Sequence, residues 1–328
     1  MWNGVKCINK SFVSVLSSVI LSVILTGCSG YSFRDAYDYD SRLSAFSYSL
    51  AGSDTASPFA KNLCVVSSDN ITAGTELTGV KAAGLFDTTS NGTLYAVNVH
   101  ERLAPASLTK VMTALIALKY GHTDDVITAS ANVGKIESGA QMVGLKEGDR
   151  LTLEQALYAL LVYSGNDAGV AIAEYLSGSV DEFCDLMNDE ALKLGATNTH
   201  FANPHGLTND DHYTTAYDLY LIFNEAMKYD KFREIIGTAE YTTVYSDRDG
   251  KSKDMDIKNS NLYLTGEKTA PSNVTLIGGK TGTTNAAGSC LILLSDGPGG
   301  NRYISVILKA DDKDILYDRM TKLIEQVP

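Results

Sequence analysis

Hydrophobic positions fall into three textures along the chain. Residues 12–25 (FVSVLSSVILSVIL) form one apolar run broken only by serines, whereas residues 29–58 show no sustained apolar period. From about Phe59 onward, short apolar stretches alternate with turn residues, the texture of a folded domain. Strands are predicted over 62–67 (NLCVVS), 82–87 and 93–99 (TLYAVNV). The last two are joined through Ser90-Asn91-Gly92, whose Asn-Gly pair suits a tight hairpin turn. Between 104 and 119 (APASLTKVMTALIALK), Leu108, Val111, Met112, Leu115, Ile116 and Leu118 cover nearly the whole circumference of a helix. That coverage predicts a helix packed on all sides.

The middle, about 125–260, reads as mostly helical. Thr152-Leu-Glu-Gln155 has the form of a capping box, in which each end of the first turn satisfies the other. It opens a helix through Val162. Ser179-Val-Asp-Glu182 opens another that runs to Gly195, and Thr215 to Lys228 forms a third. Strands return over 274–277, 290–294 and 303–309, with Gly297-Pro298-Gly299-Gly300 between the last two. An amphipathic helix is predicted over 314–326. Strands near both ends with helices between them imply a mixed α/β fold. In it, an antiparallel sheet of N- and C-terminal strands, flanked by helices, carries an inserted helical lobe.

Charge removes one class of function. The net charge is −12 over 328 residues and no basic cluster interrupts it, which argues against nucleic acid as a partner. At the N-terminus, Lys6 and Lys10 precede the apolar run, and no acidic residue occurs before Asp35. A positive start and a short apolar run read as an export signal. The run ends in Leu25-Thr26-Gly27-Cys28, which is similar to the lipobox of bacterial lipoproteins. Residues 1–27 are therefore expected to be removed and Cys28 to carry lipid. An ordinary signal peptide or an uncleaved anchor are the alternatives. Residues 28–58 then form the lipidated Cys and a tether, and 59–328 the folded domain. Cys64, Cys184 and Cys290 have no metal-site spacing and read as small buried hydrophobes, with one disulfide left open.

The chemistry starts from a misfit. Lys110 stands in the first turn of the 104–119 helix, where the positive dipole end disfavours a cation by up to about 1 kcal/mol. Ser107 lies three residues earlier on the same face. A serine hydroxyl needs a base, and a lysine made neutral by burial and the helix end can be that base. One S-x-x-K is expected by chance in a chain this long. Two further elements change its weight: Ser164-Gly165-Asn166 after an apolar helix, and Lys280-Thr281-Gly282-Thr283 at the end of an apolar strand. Ser68-Asp69-Asn70 precedes Ser107, and Ser130-Ala131-Asn132 lies in a polar stretch, so neither competes with Ser164.

S-x-x-K, an S-x-N triplet and K-T-G in this order are the signature shared by class A β-lactamases and penicillin-binding proteins. The chain resembles the serine-type D-alanyl-D-alanine carboxypeptidases, the low-molecular-mass penicillin-binding proteins, from about Ala82 to Val327. The stretches "KIESGAQMVGLKEGDRLTLEQALYALLVYSGNDAG", "MNDEALKLGATNTHFANPHGL" and "KTGTTNAAGSC" carry the likeness beyond the three motifs. The resemblance implies a β-lactamase/transpeptidase-like fold and an exported, lipid-anchored protein on the outer face of the bacterial cytoplasmic membrane, or in the periplasm. Its implied partners are peptidoglycan stem peptides and β-lactams. On the family's scheme Ser107 attacks the bond between two terminal D-alanines and Lys110 takes its proton. Ser164 relays a proton to the leaving D-alanine, and the N–H groups of Ser107 and Thr283 form the oxyanion hole. Asn166 binds the acyl-side amide, and Lys280, Thr281 and Thr283 meet the terminal carboxylate. Gly282 lets the substrate approach closely. The scheme needs no metal and no cofactor.

Other readings are weighed against particular residues. A class A β-lactamase would use a glutamate in E-x-x-x-N, yet between Asp167 and Asn209 no glutamate has asparagine four positions on; Glu190 is followed by Leu194. A non-catalytic wall-binding lipoprotein and a DD-endopeptidase or transpeptidase remain as alternatives on the same site. His205 and His212 lack H-E-x-x-H spacing and are expected to be structural residues of their loop. Many relatives continue into a β-domain and an anchoring helix. Here the chain ends soon after its last predicted helix, so attachment is expected at the N-terminal lipid.

Overall fold

The computed structural model describes residues 61–67, 70–72 and 74–328; the apolar run, Cys28 and the 29–58 segment lie outside the described residues. In chain order, β1 (Asn70–Ile71), β2 (Ala82–Asp87) and β3 (Gly92–Val97) lead through a 3-10 turn at Ala106–Thr109 into α1 (Lys110–Tyr120). The short strands β4 (Val126–Thr128) and β5 (Arg150–Thr152) precede α2 (Leu153–Leu161), α3 (Asn166–Ser177), α4 (Val180–Lys193), α5 (Ala216–Ala226) and α6 (Asp230–Ile236). Then follow β6 (Glu240–Ser246), β7 (Ser252–Lys258), β8 (Thr275–Thr284), β9 (Gly288–Asp296), β10 (Arg302–Ala310) and α7 (Lys313–Ile324).

Six strands form an antiparallel sheet in the order β1-β3-β2-β10-β9-β8, so N- and C-terminal strands do share one sheet. Its register decides the layers. Cys290, Ile292 and Leu294 of β9 face the helices α1 to α6, while Leu291 and Leu293 face Leu316, Tyr317, Met320 and Leu323 of α7. A slip of one residue would exchange the two faces. α1 runs through the middle of the helical side, buried from Lys110 to Ala117 and packed against α2, α3, α4, α5 and α6. Its buried Val111, Met112, Leu115 and Ile116 each stabilise the fold by about 1.5–3 kcal/mol. That packing holds the helix in place with a lysine at its foot.

The helix starts follow their capping residues. Thr152 accepts from the Gln155 N–H while Gln155 Oε1 accepts from the Thr152 N–H, the expected box. Ser179, Thr215 and Asp312 cap α4, α5 and α7 in the same way from one side.

Three expectations change. Residues 62–67 are not a strand. The Cys64 N–H donates to Tyr220 Oη and its carbonyl accepts from Tyr217 Oη, so α5 tyrosines take the backbone groups a ladder would use. The middle region is not only helical: β4-β5-β6-β7 form a second antiparallel sheet. Its β7 buries only Met255 and Ile257, too few positions to stand out from SKDMDIK. Finally, β8 does not stop before Lys280 but continues to Thr284, so the K-T-G triplet lies inside an edge strand. Cys64, Cys184 and Cys290 are buried free thiols, and burial pushes Cys184 and Cys290 up to about 12.

Candidate active site

Ser107 lies in the 3-10 turn that opens α1, and Lys110 is the first residue of the helix proper. Lys110 is fully buried. Its Nζ lies 2.8 Å from Ser107 Oγ, 2.7 Å from Asn166 Oδ1 and 2.7 Å from the His205 carbonyl oxygen. Burial and then the nearby Lys280 hold its pKa well below the ordinary lysine value, against a smaller opposing pull from Asp167. Desolvating an ammonium costs several kcal/mol, so burial favours the neutral amine. The two hydrogens of a neutral amine go to Asn166 Oδ1 and the His205 carbonyl, so its lone pair faces Ser107 Oγ and can accept the serine proton.

Ser164 and Asn166 come from the corner between α2 and α3. Ser164 has φ +71°, in the left-handed region where a non-glycine residue costs about 1–3 kcal/mol. The corner is held by the Gly165 N–H on the Ala159 carbonyl and the Asn166 N–H on the Gln141 carbonyl. Asn166 spends Oδ1 on Lys110, which turns its amide nitrogen away from that bond. Ser164 lines the cleft with Ser107, but its hydroxyl bonds neither Lys110 nor Lys280, among the described residues.

From β8, Lys280 is 1% exposed and, among the described residues, donates only to the next carbonyl, Thr281 O, at 3.0 Å. Burial lowers its pKa to about 7. Thr281 Oγ1 is shared with Ser260 Oγ at 2.5 Å. Thr283 is exposed on the cleft. Gly282 has a role beyond the one expected: a Cβ there would lie 2.8 Å from Ser107 N and 3.2 Å from Leu108 N. Its missing side chain lets the nucleophile turn press against the strand.

Two cavities meet at Ser107. One of about 450 Å³ is lined by Gln141, Asn166, Gly206, Thr283 and Asn285. The other, about 200 Å³, is lined by Tyr163, Ser164, Ser260, Thr281 and Lys313. A hollow of about 490 Å³ between the 131–137 segment and the α3–α4 corner contains none of Ser107, Lys110 or Lys280. The volume alone is therefore a poor guide to the chemistry here.

Several contributors carried no sequence signal of their own. The Asp167 carboxylate accepts from the N–H groups of Val143, Gly144 and Leu145 at 2.8–3.1 Å, fixing the segment that roofs the cleft. Its position directly after Asn166 is the one hint. Ser260 and Lys313 arrive from distant segments. His205 gives its carbonyl to Lys110, while its ring, driven down to about 3 by burial, stays neutral. Among the described residues, no group of three His, Cys, Asp or Glu is placed to hold a metal. Cys28 lies outside the described residues.

A serine whose base is a neutral lysine can form an ester with a carbonyl carbon and pass it on, the chemistry of serine acyl-transfer centres that work without histidine. A profile of the D-alanyl-D-alanine carboxypeptidases, peptidase family S11, matches residues 70–312, and this chain belongs to that family. It is 36% identical over 249 residues to the D-alanyl-D-alanine carboxypeptidase DacF of Bacillus subtilis strain 168, covering 75% of this chain and 61% of the relative. To DacD of Escherichia coli K12 it is 34% identical over 249 residues, covering 73% and 61%. The crystal structure of the Streptomyces K15 DD-transpeptidase superposes with a TM-score of 0.70 at 29% identity, over 76% of this chain and 96% of that one. The chain thus spans about 61% of the length of the two carboxypeptidases.

Proposed function

We propose that this chain is a serine D-alanyl-D-alanine carboxypeptidase that trims the last D-alanine from peptidoglycan stem peptides. The observation that carries the reading is the 2.8 Å bond between Lys110 Nζ and Ser107 Oγ in a buried site. Ser107 Oγ attacks the penultimate carbonyl carbon as Lys110 takes its proton. The N–H groups of Ser107 and Thr283 receive the oxyanion. The C–N bond then breaks as Ser164 relays the proton held by Lys110 to the departing amine, and water hydrolyses the ester. Asn166, through its amide nitrogen, binds the acyl-side amide.

The unequal cavities favour removal of one residue over cleavage of a cross-link. The smaller, about 200 Å³, suits a single leaving D-alanine, with Thr281, Thr283 and Lys313 around its carboxylate and Lys280 behind. The larger takes the acyl chain. β-Lactams carry an amide and a carboxylate in the same relation, so they acylate Ser107. Efficient β-lactam turnover is not favoured. Glu190, the best-placed candidate base for it, is buried and committed to Lys119 and Tyr120 Oη, tying α1 to α4.

The test is fluorescent-penicillin labelling with mass spectrometry of a pentapeptide stem. Wild type should label at Ser107 and yield a tetrapeptide, and Ser107→Ala should do neither. Label elsewhere, or a reaction only with cross-linked dimers, would overturn the reading. The protein is further proposed to be exported and lipid-anchored at Cys28, on the strength of Leu25-Thr26-Gly27-Cys28. Cys28→Ala should then leave the membrane fraction, and unchanged partitioning would refute the anchor. Among the described residues, no helix is long and apolar enough to cross a membrane.

A further inference from the structure

The turn that carries Ser107 is held from behind by a hydrogen-bond chain that the acyl-transfer scheme does not use. His212 is 3% exposed, with the Phe201 ring edge-on to it at 5.6 Å. Its Nδ1 accepts from the Ala202 N–H at 3.0 Å, so the ring proton of the neutral imidazole sits on Nε2. Nε2 lies 2.8 Å from Thr109 Oγ1 and donates to it. Thr109 then has one hydrogen left, and it points to the Ala106 carbonyl at 2.9 Å. The direction of the whole chain follows from the first bond: His212 Nε2–H to Thr109 Oγ1, and Thr109 O–H to Ala106 O.

The last acceptor matters because of its covalent neighbour. Ala106 C=O and Ser107 N–H belong to the same planar trans peptide unit, so they point in opposite directions. Pinning the carbonyl from behind aims the Ser107 N–H away from Thr109. Ala106 has φ +49°, a conformation that its own sterics do not favour. Gly206 packs so tightly on this peptide that a Cβ there would lie 1.8 Å from Ala106 O. Beyond the backbone of the 3-10 turn itself, the Thr109 hydroxyl and the Gly206 contact hold this strained peptide.

We infer that His212 and Thr109 are positioning residues for the nucleophile turn: their relay locks the Ala106–Ser107 peptide so that the Ser107 N–H faces the developing oxyanion. This rests on the proposed role of Ser107. Both are buried, and neither lines the two cavities that meet at Ser107. Without the relay the peptide can rotate, which misdirects the oxyanion donor and shifts Oγ relative to Lys110.

The experiment measures acylation by a fluorescent penicillin in stopped flow, separating the dissociation constant of the first complex from the maximal acylation rate. The final label per molecule counts competent sites. Thr109→Val removes the hydroxyl at nearly constant shape; Thr109→Ser keeps it. His212→Asn keeps an acceptor for Ala202 but no donor for Thr109; His212→Gln keeps a donor at the Nε2 position. Thr109→Val and His212→Asn should lower the acylation rate per site about 10- to 100-fold, with first-complex affinity unchanged. Thr109→Ser and His212→Gln should stay within about threefold of wild type, and the double variant should lose no more than Thr109→Val alone. Wild-type rates per site in Thr109→Val or His212→Asn, or a loss seen only as fewer competent sites, would overturn the inference. So would failure of both variants to fold, since a structural role then accounts for them. A wild type that does not label at Ser107 overturns the proposed function first, and the inference with it.

Discussion

Lys110 and Lys280 are buried to the same degree, yet they are partnered in opposite ways. Lys110 spends its amine on Ser107 Oγ, Asn166 Oδ1 and the His205 carbonyl. Lys280 has, among the described residues, only the carbonyl of the next residue. A saturated amine is held at one place and can act only on what it already touches. An amine with donors to spare, beside a cavity lined by Thr281, Thr283 and Lys313, is placed to meet an anion arriving from outside. On the proposed function, the same burial serves proton transfer in one case and recognition in the other.

The comparison breaks most sharply at Lys110. Lys110→Met should lower the acylation rate about 10³-fold, the scale of lost general-base catalysis. Stability should change far less: Asn166 Oδ1 and His205 O lose a donor at about 1–3 kcal/mol each, offset by no longer burying an amine. Thermal melts beside labelling rates check this, and near-normal labelling would remove Lys110 from the chemistry. The pH sense is also set. Lys110 works when neutral, so activity falls on the acid side as it gains its proton.

Lys280 should give the opposite limb. Its pKa of about 7 leaves it charged below that pH and neutral above. A carboxylate binds the charged form, so kcat/KM for a carboxylate-terminated peptide should fall as pH rises through about 7, because kcat/KM reports the free enzyme. A C-terminal amide analogue should lack that limb. Lys280→Met should cost about 1.5–3 kcal/mol in kcat/KM, the strength of one charged hydrogen bond, and erase the limb. Persistence of the alkaline limb in this variant would assign it to another group.

How much of this could be read from residues alone differs between the two lysines. Lys110 was legible because it violated a local rule, a cation in the first turn of an otherwise apolar helix, with Ser107 three residues away. Lys280 is legible only through its motif, and the strand predicted over 274–277 stops short of it. Gly278 and Gly279 weaken any strand signal, and both are needed: a Cβ at either would fall 2.1–2.2 Å from a backbone oxygen, of Ile236 or Ile292. The sheet order followed from apolar runs at both ends of the domain. The second sheet did not, because β7 hides two apolar residues among charged ones. The supporting bonds from Asp167, Ser260 and His212 were invisible for another reason. They join segments tens of residues apart, and no periodicity encodes such distances.

The finest test of the recognition side is Ser260, which had no signal and bonds Thr281 Oγ1 at 2.5 Å. The two hydroxyls share one hydrogen bond, and its direction decides what Thr281 can do. If Ser260 donates, the Thr281 hydrogen is free to turn into the small cavity and meet a carboxylate. If Thr281 donates, its hydrogen is spent and only its oxygen faces the substrate, which a carboxylate would repel. The proposed anion site therefore requires Ser260 to be the donor. Ser260→Ala should leave Thr281 free to rotate and cost about 0.5–1.5 kcal/mol, a few-fold rise in KM with the acylation rate unchanged. Thr281→Val should cost at least as much, and the double variant no more than Thr281→Val. A fall in KM for Ser260→Ala would mean that the wild-type hydroxyl points at Ser260, leaving Lys280 and Lys313 to hold the carboxylate without Thr281.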